Sequence, residues 1–432
     1  MDARLKHSGM TQDKESWPFL SQKTVDLKII RKAKMKIPFG TITITSKSRE
    51  LINEALDSGR VSNGKYVREF EELFARLTGT KEAVAVSSGT DADMLALAVL
   101  YDFGAKRGDE IIVPALSFVA TGNAVLHAGF TPVFVDVELE TLNINPRRIE
   151  QVITKKTRAI MPVHLMGKPA KMDEINKIAR KHKLFVIEDA AEAHGAVYKG
   201  KNVGTLGDMA AYSLYLAHII TTVEGGIVTT DREDFAEILR SLRSHGRACK
   251  CKVCVVNTNS AYCSKRFKSG RDVRFIFERV GYSSKMNELE AAVGIGSLHM
   301  YKKIISKRKR NLLTMIKRFQ KFKSCMTTFQ QEEHEEIGPH AFPMIVKEKA
   351  GFTRDQLVDY LDKRGIDTRD LFSSMPTQCP GFKFLKYKLG AFPNAEYIGD
   401  NGLHIGVHQD LGEKHVDYFI RTVGDFLERY AR

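Results

Sequence analysis

The chain has 432 residues, 43% of them hydrophobic, and a formal net charge of +15. That length and apolar content can bury a large core and exclude a wholly disordered polypeptide. The positive balance suits anionic small molecules or an acidic protein partner; nucleic-acid binding is not expected, because no recognisable module and no interleaving of aromatic with basic residues accompanies it.

Residues 1–36 are polar and mixed in charge and read as an N-terminal arm. They hold no apolar segment of signal-peptide type, and no stretch of the chain reaches the ~18 apolar residues of a membrane span, so a cytoplasmic location is expected. From Ile37 the pattern becomes regular. AVAVSS, EIIVPALSF, TPVFVDVE, RAIMPVHLM and LFVIEDA are short Val- and Ile-rich runs separated by helical stretches such as DADMLALAVLYDFG and MDEINKIARKHK. This alternation predicts an α/β fold, a mainly parallel sheet buried on both faces, in a large domain over 37–300. The segment from Met286 reads as one or two helices, and its basic run between residues 302 and 323 as a solvated helix face. Residues 301–432 read as a linker helix and a smaller C-terminal α+β domain. There HAFPMIVKE is a strand, TRDQLVDYLDKRG a helix closed by Gly365, and EKHVDYFIRTVGDFLERY a final helix.

Three segments carry chemistry. SSGTDADMLAL follows the AVAV strand, so Ser88, Gly89 and Thr90 fall at a helix N-terminus, where exposed N–H groups and the helix dipole bind a phosphate. A plain N-cap has the same look. VIEDAAEAHGA places Asp189 and Glu192 just past a buried strand, the edge of an α/β sheet where ligands bind. In DMAAYSLYLAHIITTVEGGIVTTD, His218 stands on a turn between two strands, and no lysine lies between Lys201 and Lys250.

Together these segments resemble the DegT-type family of pyridoxal-phosphate (PLP) enzymes acting on nucleotide-linked keto-sugars. IPFGTITITSKSRELINEALDSGRVSNGKYVREFEELFA is similar to its N-terminal signature, SSGT to its phosphate turn, and PALSFVATGNAVLHAGFTPVFVDVE to the segment whose aromatic residue stacks on the cofactor, here Phe118. The match runs from about residue 37 to the C-terminus. The resemblance implies the aspartate-aminotransferase-type fold and a homodimer with its active site at the subunit interface. It implies Asp189 as partner of the pyridine nitrogen, Glu192 beside it, and Ser213 and His218 at the family's serine–lysine pair. In GYSSKMNELEAAVG, Ser283 occupies the place of an asparagine that reaches the partner's cofactor phosphate. His245 in LRSHGR matches a family histidine, and Arg369 in TRDLF fits either a sugar-nucleotide contact or a surface ion pair.

Where the family carries its Schiff-base lysine, this chain carries a histidine. An imidazole titrating near ~6.5 exchanges protons at neutral pH but forms no stable Schiff base, so the cofactor would be held non-covalently, as pyridoxamine phosphate (PMP). The family's sugar 3-dehydratases, such as CDP-4-keto-6-deoxyglucose 3-dehydrase, also have His for Lys. The resemblance thus implies loss of the C3 hydroxyl from a nucleotide-linked 4-keto-6-deoxy-hexose, with His218 as base. The other readings are a cluster-free dehydratase drawing its amine from an amino acid, and a cofactor-binding homologue without turnover.

Four of six cysteines, Cys249, Cys251, Cys254 and Cys263, fall within an insert at 249–267. Such clustering in a cytosolic chain suggests metal ligation more than disulfides. An iron-sulfur cluster of [2Fe–2S] type, a closed zinc site and an ordinary reduced loop are all open. The cluster-bearing dehydrases have a similar stretch and a further ligand where this chain has Ala191, which makes Cys254 the substitute. A cluster would imply a flavin or ferredoxin-type reductase as partner.

Overall fold

The protein is described as a computed structural model covering residues 35–256 and 262–430. Of the arm expected over 1–36, all but the last two residues lie outside that range. The continuous apolar runs form strands β1 (Glu82–Val86), β2 (Glu110–Pro114), β3 (Thr131–Val135), β4 (Thr157–Ile160), β5 (Phe185–Asp189), β6 (Met209–Ser213) and β7 (Gly226–Thr230). They pair in the order β1-β7-β6-β5-β4-β2-β3. β7 runs antiparallel to both neighbours, and every other pair is parallel. Parallel strands carry their crossovers on the sheet faces, which is why these segments read as unbroken hydrophobic runs. One consequence matters for function: the carboxyl ends of β1, β2, β5 and β6 share one edge of the sheet.

Helices α1 (Ser46–Asp57), α2 (Lys65–Thr78), α3 (Gly89–Ala98), α4 (Val119–His127), α5 (Met172–His182) and α6 (Glu233–Leu242) accompany the sheet. The segment from Met286 is one 32-residue helix, α7 (Glu288–Phe319), opened by a reciprocal capping box between Asn287 and Glu290. Its first residue also caps another helix. The buried Glu288 carboxylate accepts from the backbone N–H groups of Gly64 (2.9 Å), Tyr66 (2.8 Å) and Val67 (3.0 Å), using donors that α2 leaves unpaired at its start.

Beyond α7 the chain forms a four-stranded antiparallel sheet of β8 (Met326–Thr327), β9 (Ala341–Val346), β10 (Thr368–Asp370) and β11 (Gly402–Gly406), in the order β8-β9-β11-β10. Helices α8 (Arg354–Asp362), α9 (Pro393–Asn401) and α10 (Glu413–Tyr430) pack around it. The basic run of α7 is not uniformly a solvated face. Arg308 is 2% exposed, and its guanidinium donates to Gln409 Oε1 (3.1 Å) and to the carbonyls of His340 and Ala217 (3.5 Å each).

Candidate functional site

Each candidate side chain sits at or just beyond the shared carboxyl edge. Ser88 caps α3: its hydroxyl accepts from Asp91 N at 3.0 Å, while Asp91 accepts from the Ser87 hydroxyl. The N-cap and phosphate-turn readings therefore coexist, because the cap uses the serine oxygen and leaves the first N–H groups of α3, at Gly89 and Thr90, for an anion. The turn is wedged in place. A Cβ on Gly89 would stand 2.7 Å from Ser213 Cβ, and one on Gly226 would stand 2.0 Å from the Ser88 carbonyl oxygen. Gly89→Ala should thus cost about 1–3 kcal/mol by overpacking, read as a lower midpoint in denaturant unfolding; an unchanged midpoint would show that the turn is loose.

Asp189 ends β5 and is 4% exposed. Its Oδ2 accepts from Thr121 Oγ1 (2.7 Å), which is itself within 2.8 Å of Ser117 Oγ, and its Oδ1 from Ala191 N (3.2 Å). Burial pushes its carboxyl up; the Thr121 and Ala191 hydrogen bonds and nearby His164 act the other way. Phe118, immediately before α4, is 57% exposed, with Phe372 as its ring neighbour at 5.6 Å. Its open face leaves room for a planar ligand. Ser213 ends β6, buried against Gly89.

His218 follows on the turn after β6, its ring 5.0 Å from that of His340, and 6.3 Å from those of His194 and Tyr215. Its Nδ1 is buried without a hydrogen-bond partner, as are Nδ1 of His340 and both ring nitrogens of His194. His340 Nε2 stands 3.4 Å from Glu192 Oε1, and Glu192 Oε2 accepts from Met166 N at 2.7 Å. One expectation changes here, that of His218, and Glu192 is shifted beside it. Glu192 is pushed up to about 8, by burial and then by the charge of Asp189. His218 does not titrate near neutrality: burial, and then the charge of Arg308, pull it down to about 3. It is a neutral imidazole throughout the physiological range.

The same burial acts on His194, His340 and His404, whose ring pKa values all fall. A depressed folded-state value gives stability that is present above the unfolded value near ~6.5 and lost as pH falls below it. Each of these three buried rings contributes up to about 1.4 kcal/mol per pH unit to that loss. The protein should therefore melt at markedly lower temperature at pH 5 than at pH 7.5, and an unchanged melting temperature would show that the rings are not held neutral.

Other candidates are less central. Ser283 is exposed and bridges by backbone to Ser244, while the next residue's carbonyl accepts from Ser87 N at 3.2 Å, so its strand borders the phosphate turn. His245 is exposed in a turn with positive φ, its N–H on the Tyr282 carbonyl. Arg369 is exposed on β10 with its guanidinium 4.5 Å over the Phe39 ring. Cys249, Cys251, Cys254 and Cys263 come near enough for the last three to act electrostatically on Cys249, whose thiol burial pushes up first and these neighbours push further. Yet among the described residues no group of three or more His, Cys, Asp and Glu side chains is arranged to hold a metal ion. The cluster expected from the sequence is thus not shown by the described residues.

Sequence reasoning did not reach His194, His340, Arg308, Asp93 or Thr121. Three of these lay inside quoted motifs: His194 inside EDAAEAHGA, Asp93 inside SSGTDADMLAL and Thr121 inside PALSFVATGNAVLHAGFTPVFVDVE.

A glycine-containing turn capping a helix after β1, a buried aspartate at the end of a parallel strand and an exposed aromatic before α4, on a seven-stranded sheet with one antiparallel member, agree with the PLP-dependent fold of aspartate-aminotransferase type. Comparison with known proteins agrees. Residues 43–424 match the DegT/DnrJ/EryC1/StrS aminotransferase family. The chain is 36% identical, over 91% of its length and 86% of the relative's, to dTDP-4-dehydro-2,6-dideoxy-D-glucose 3-dehydratase of Saccharopolyspora spinosa. It is 34% identical to GDP-perosamine synthase of Caulobacter vibrioides, over 89% and 96% of the two lengths. The crystal structure of Escherichia coli GDP-4-keto-6-deoxy-D-mannose-3-dehydratase with bound hydrated PLP superimposes with a TM-score of 0.78 at 32% identity, covering 90% of this chain and 99% of that one. The protein belongs to the DegT/DnrJ/EryC1/StrS family and is an enzyme of its sugar aminotransferase and dehydratase group. Among the described residues, no helix is long and apolar enough to cross a membrane.

Proposed function

We propose that the protein removes the C3 hydroxyl of a nucleotide-linked 4-keto-6-deoxy-hexose with PMP as cofactor. The observation that carries this reading is His218, a neutral imidazole with a buried, unpartnered Nδ1, standing where an amine would make the enzyme a transaminase. The residues around it fit the cofactor. The first N–H groups of α3 and the Ser213 hydroxyl would hold its phosphate, Phe118 would offer a stacking face, and Asp189, ionised, would hold a proton on its ring nitrogen. Ser283 would complete the phosphate contact from the partner subunit of a homodimer. PMP, when bound, supplies an amine that condenses with the sugar ketone and a ring that accepts electrons.

His218 would be the residue that moves a proton at the cofactor's C4′ carbon. Because burial and Arg308 disfavour the imidazolium, the protonated ring is a strong acid and passes its proton to the departing C3 oxygen, which leaves as water. One residue serves both half-steps. The test is to incubate PMP-loaded protein with GDP-, CDP- and dTDP-linked 4-keto-6-deoxy-hexoses and follow product mass. Loss of one oxygen from the sugar is expected, C3–OH becoming C3–H, with one PMP converted to PLP and one ammonia released per turnover; amination at C4, or no turnover by PMP-loaded protein, would overturn the reading.

A second reading adds a [2Fe–2S] cluster on Cys249, Cys251, Cys254 and Cys263, with a flavin or ferredoxin-type reductase as electron source. Its support is the clustering of four of the six cysteines within the insert at 249–267. Iron and acid-labile sulfide in anaerobically purified protein test it. Metal-free, colourless protein that still dehydrates sugar assigns PMP renewal to an amino-acid donor.

A further inference from the structure

One carboxyl near the site takes no part in these steps. Asp93 lies on the second turn of α3, 3% exposed, with Oδ1 buried and without a hydrogen-bond partner. A buried, unsatisfied carboxylate oxygen is costly, and an ionised one more so. Most charged groups on the elements packed against α3 are engaged elsewhere, Asp102 of the turn after α3 with Arg279 among them. Glu82 on β1 pairs with Arg240 of α6 and with Lys252, Arg243 beyond α6 pairs with Glu71, and Glu188 on β5 accepts from His164. On α4, His127 is exposed, and the Tyr212 hydroxyl of β6 donates to the Val203 carbonyl. The charge that acts on Asp93 is Asp189.

We propose that Asp93 is a protonated acid that shares a single negative charge with Asp189, so that the carboxylate facing the cofactor's ring nitrogen is the only charged one of the pair. Two carboxyl groups in one water-free place cannot both ionise at low cost. Asp189 has the Thr121 and Ala191 donors and loses its proton first. Asp93 has none on Oδ1, and burial and then Asp189 hold it well above the usual carboxylate range. Asp93 is a positioning residue: while neutral it leaves Asp189 its charge, and ionised it would put a second buried anion against Asp189. The cofactor part of this inference rests on the reading under Proposed function; the protonation of Asp93 does not.

The sign follows from linkage. The folded protein keeps a proton on Asp93 that the unfolded chain loses above pH ~4, so stability falls as pH rises until Asp93 itself ionises. Asp93→Asn has the same shape and cannot ionise. Melting of cofactor-free protein and fluorescence titration with PMP, both from pH 6 to 9, compare the two. At pH 6 the variant should bind PMP like the wild type and melt higher. Toward pH 9 the wild type should lose PMP affinity, by up to about tenfold per pH unit once Asp93 ionises, while the variant stays flat. Asp93→Ala, less well packed, should show the same flat course. A variant that already binds PMP tenfold more weakly at pH 6, or one that follows the wild-type pH course, overturns the proposal. If neither protein binds PMP, the cofactor reading has failed, and the melting comparison still decides the protonation of Asp93.

Discussion

Replacing His218 with asparagine should lower the rate of sugar dehydration by about 10²–10⁴-fold, the contribution expected of a positioned general acid–base, and should leave PMP affinity nearly unchanged. Asparagine fills similar space and can hydrogen-bond, but it cannot carry a proton. The groups assigned to hold the cofactor belong to other elements: the Ser88 turn, Asp189 and Phe118. A large loss of PMP affinity in the His218→Asn protein would instead make His218 a binding residue. The complementary change, His218→Lys, restores the side chain that the family uses as its anchor. With PLP it should give a visible absorption band and a borohydride-reducible attachment to residue 218. A lysine that forms no such link would place the cofactor elsewhere. The pH profile offers a separate check, because His218 is held at about 3. Any limb of the rate profile between pH 5 and 7 should survive in His218→Asn at its reduced rate, and a limb that disappears with the histidine would mean that Arg308 and burial act less strongly than the geometry indicates.

The parts of this site that were legible from the chain are those fixed by local pattern. Strands buried on both faces must be apolar throughout, so β1 to β5 stood out, and parallel pairing then puts Ser88, Phe118, Asp189 and Ser213 at one edge. A histidine in a lysine's place is visible without coordinates. Arg308 shows what is lost in such a reading: its neighbours in α7 include several basic residues, and only packing against Gln409 and the carbonyls of His340 and Ala217 distinguishes it from a solvated one. His340 lies just before β9, 122 residues after His218, and meets it only through the fold. Ligand geometry among the cysteines is likewise a tertiary property, which spacing within the insert could suggest but not establish.

Glu188→Ala should destabilise the protein by about 3–5 kcal/mol, the cost of removing one member of a buried charge-bearing network. Glu188 is completely buried on β5. Successive residues of a strand face opposite ways, so while Asp189 turns to Thr121 of α4, Glu188 points to the other face. There Oε1 accepts from Leu206 N (2.8 Å) and Gly207 N (2.7 Å), and Oε2 accepts from Gly204 N (2.8 Å) and lies 3.0 Å from His164 Nε2. His164 Nδ1 in turn accepts from Ala170 N at 3.0 Å. Alanine would strand three buried amide donors and one imidazole, whereas glutamine keeps one acceptor oxygen and should cost about half as much. Chemical unfolding of the three proteins measures the difference, and an alanine variant within about 1 kcal/mol of the wild type would show that water takes over these donors. The effect should reach the active site as well. The loop at 204–207 and the turn at His164 flank the strand that ends in Asp189, so a glutamine variant that still folds should bind PMP more weakly even though residue 188 touches no part of the cofactor site.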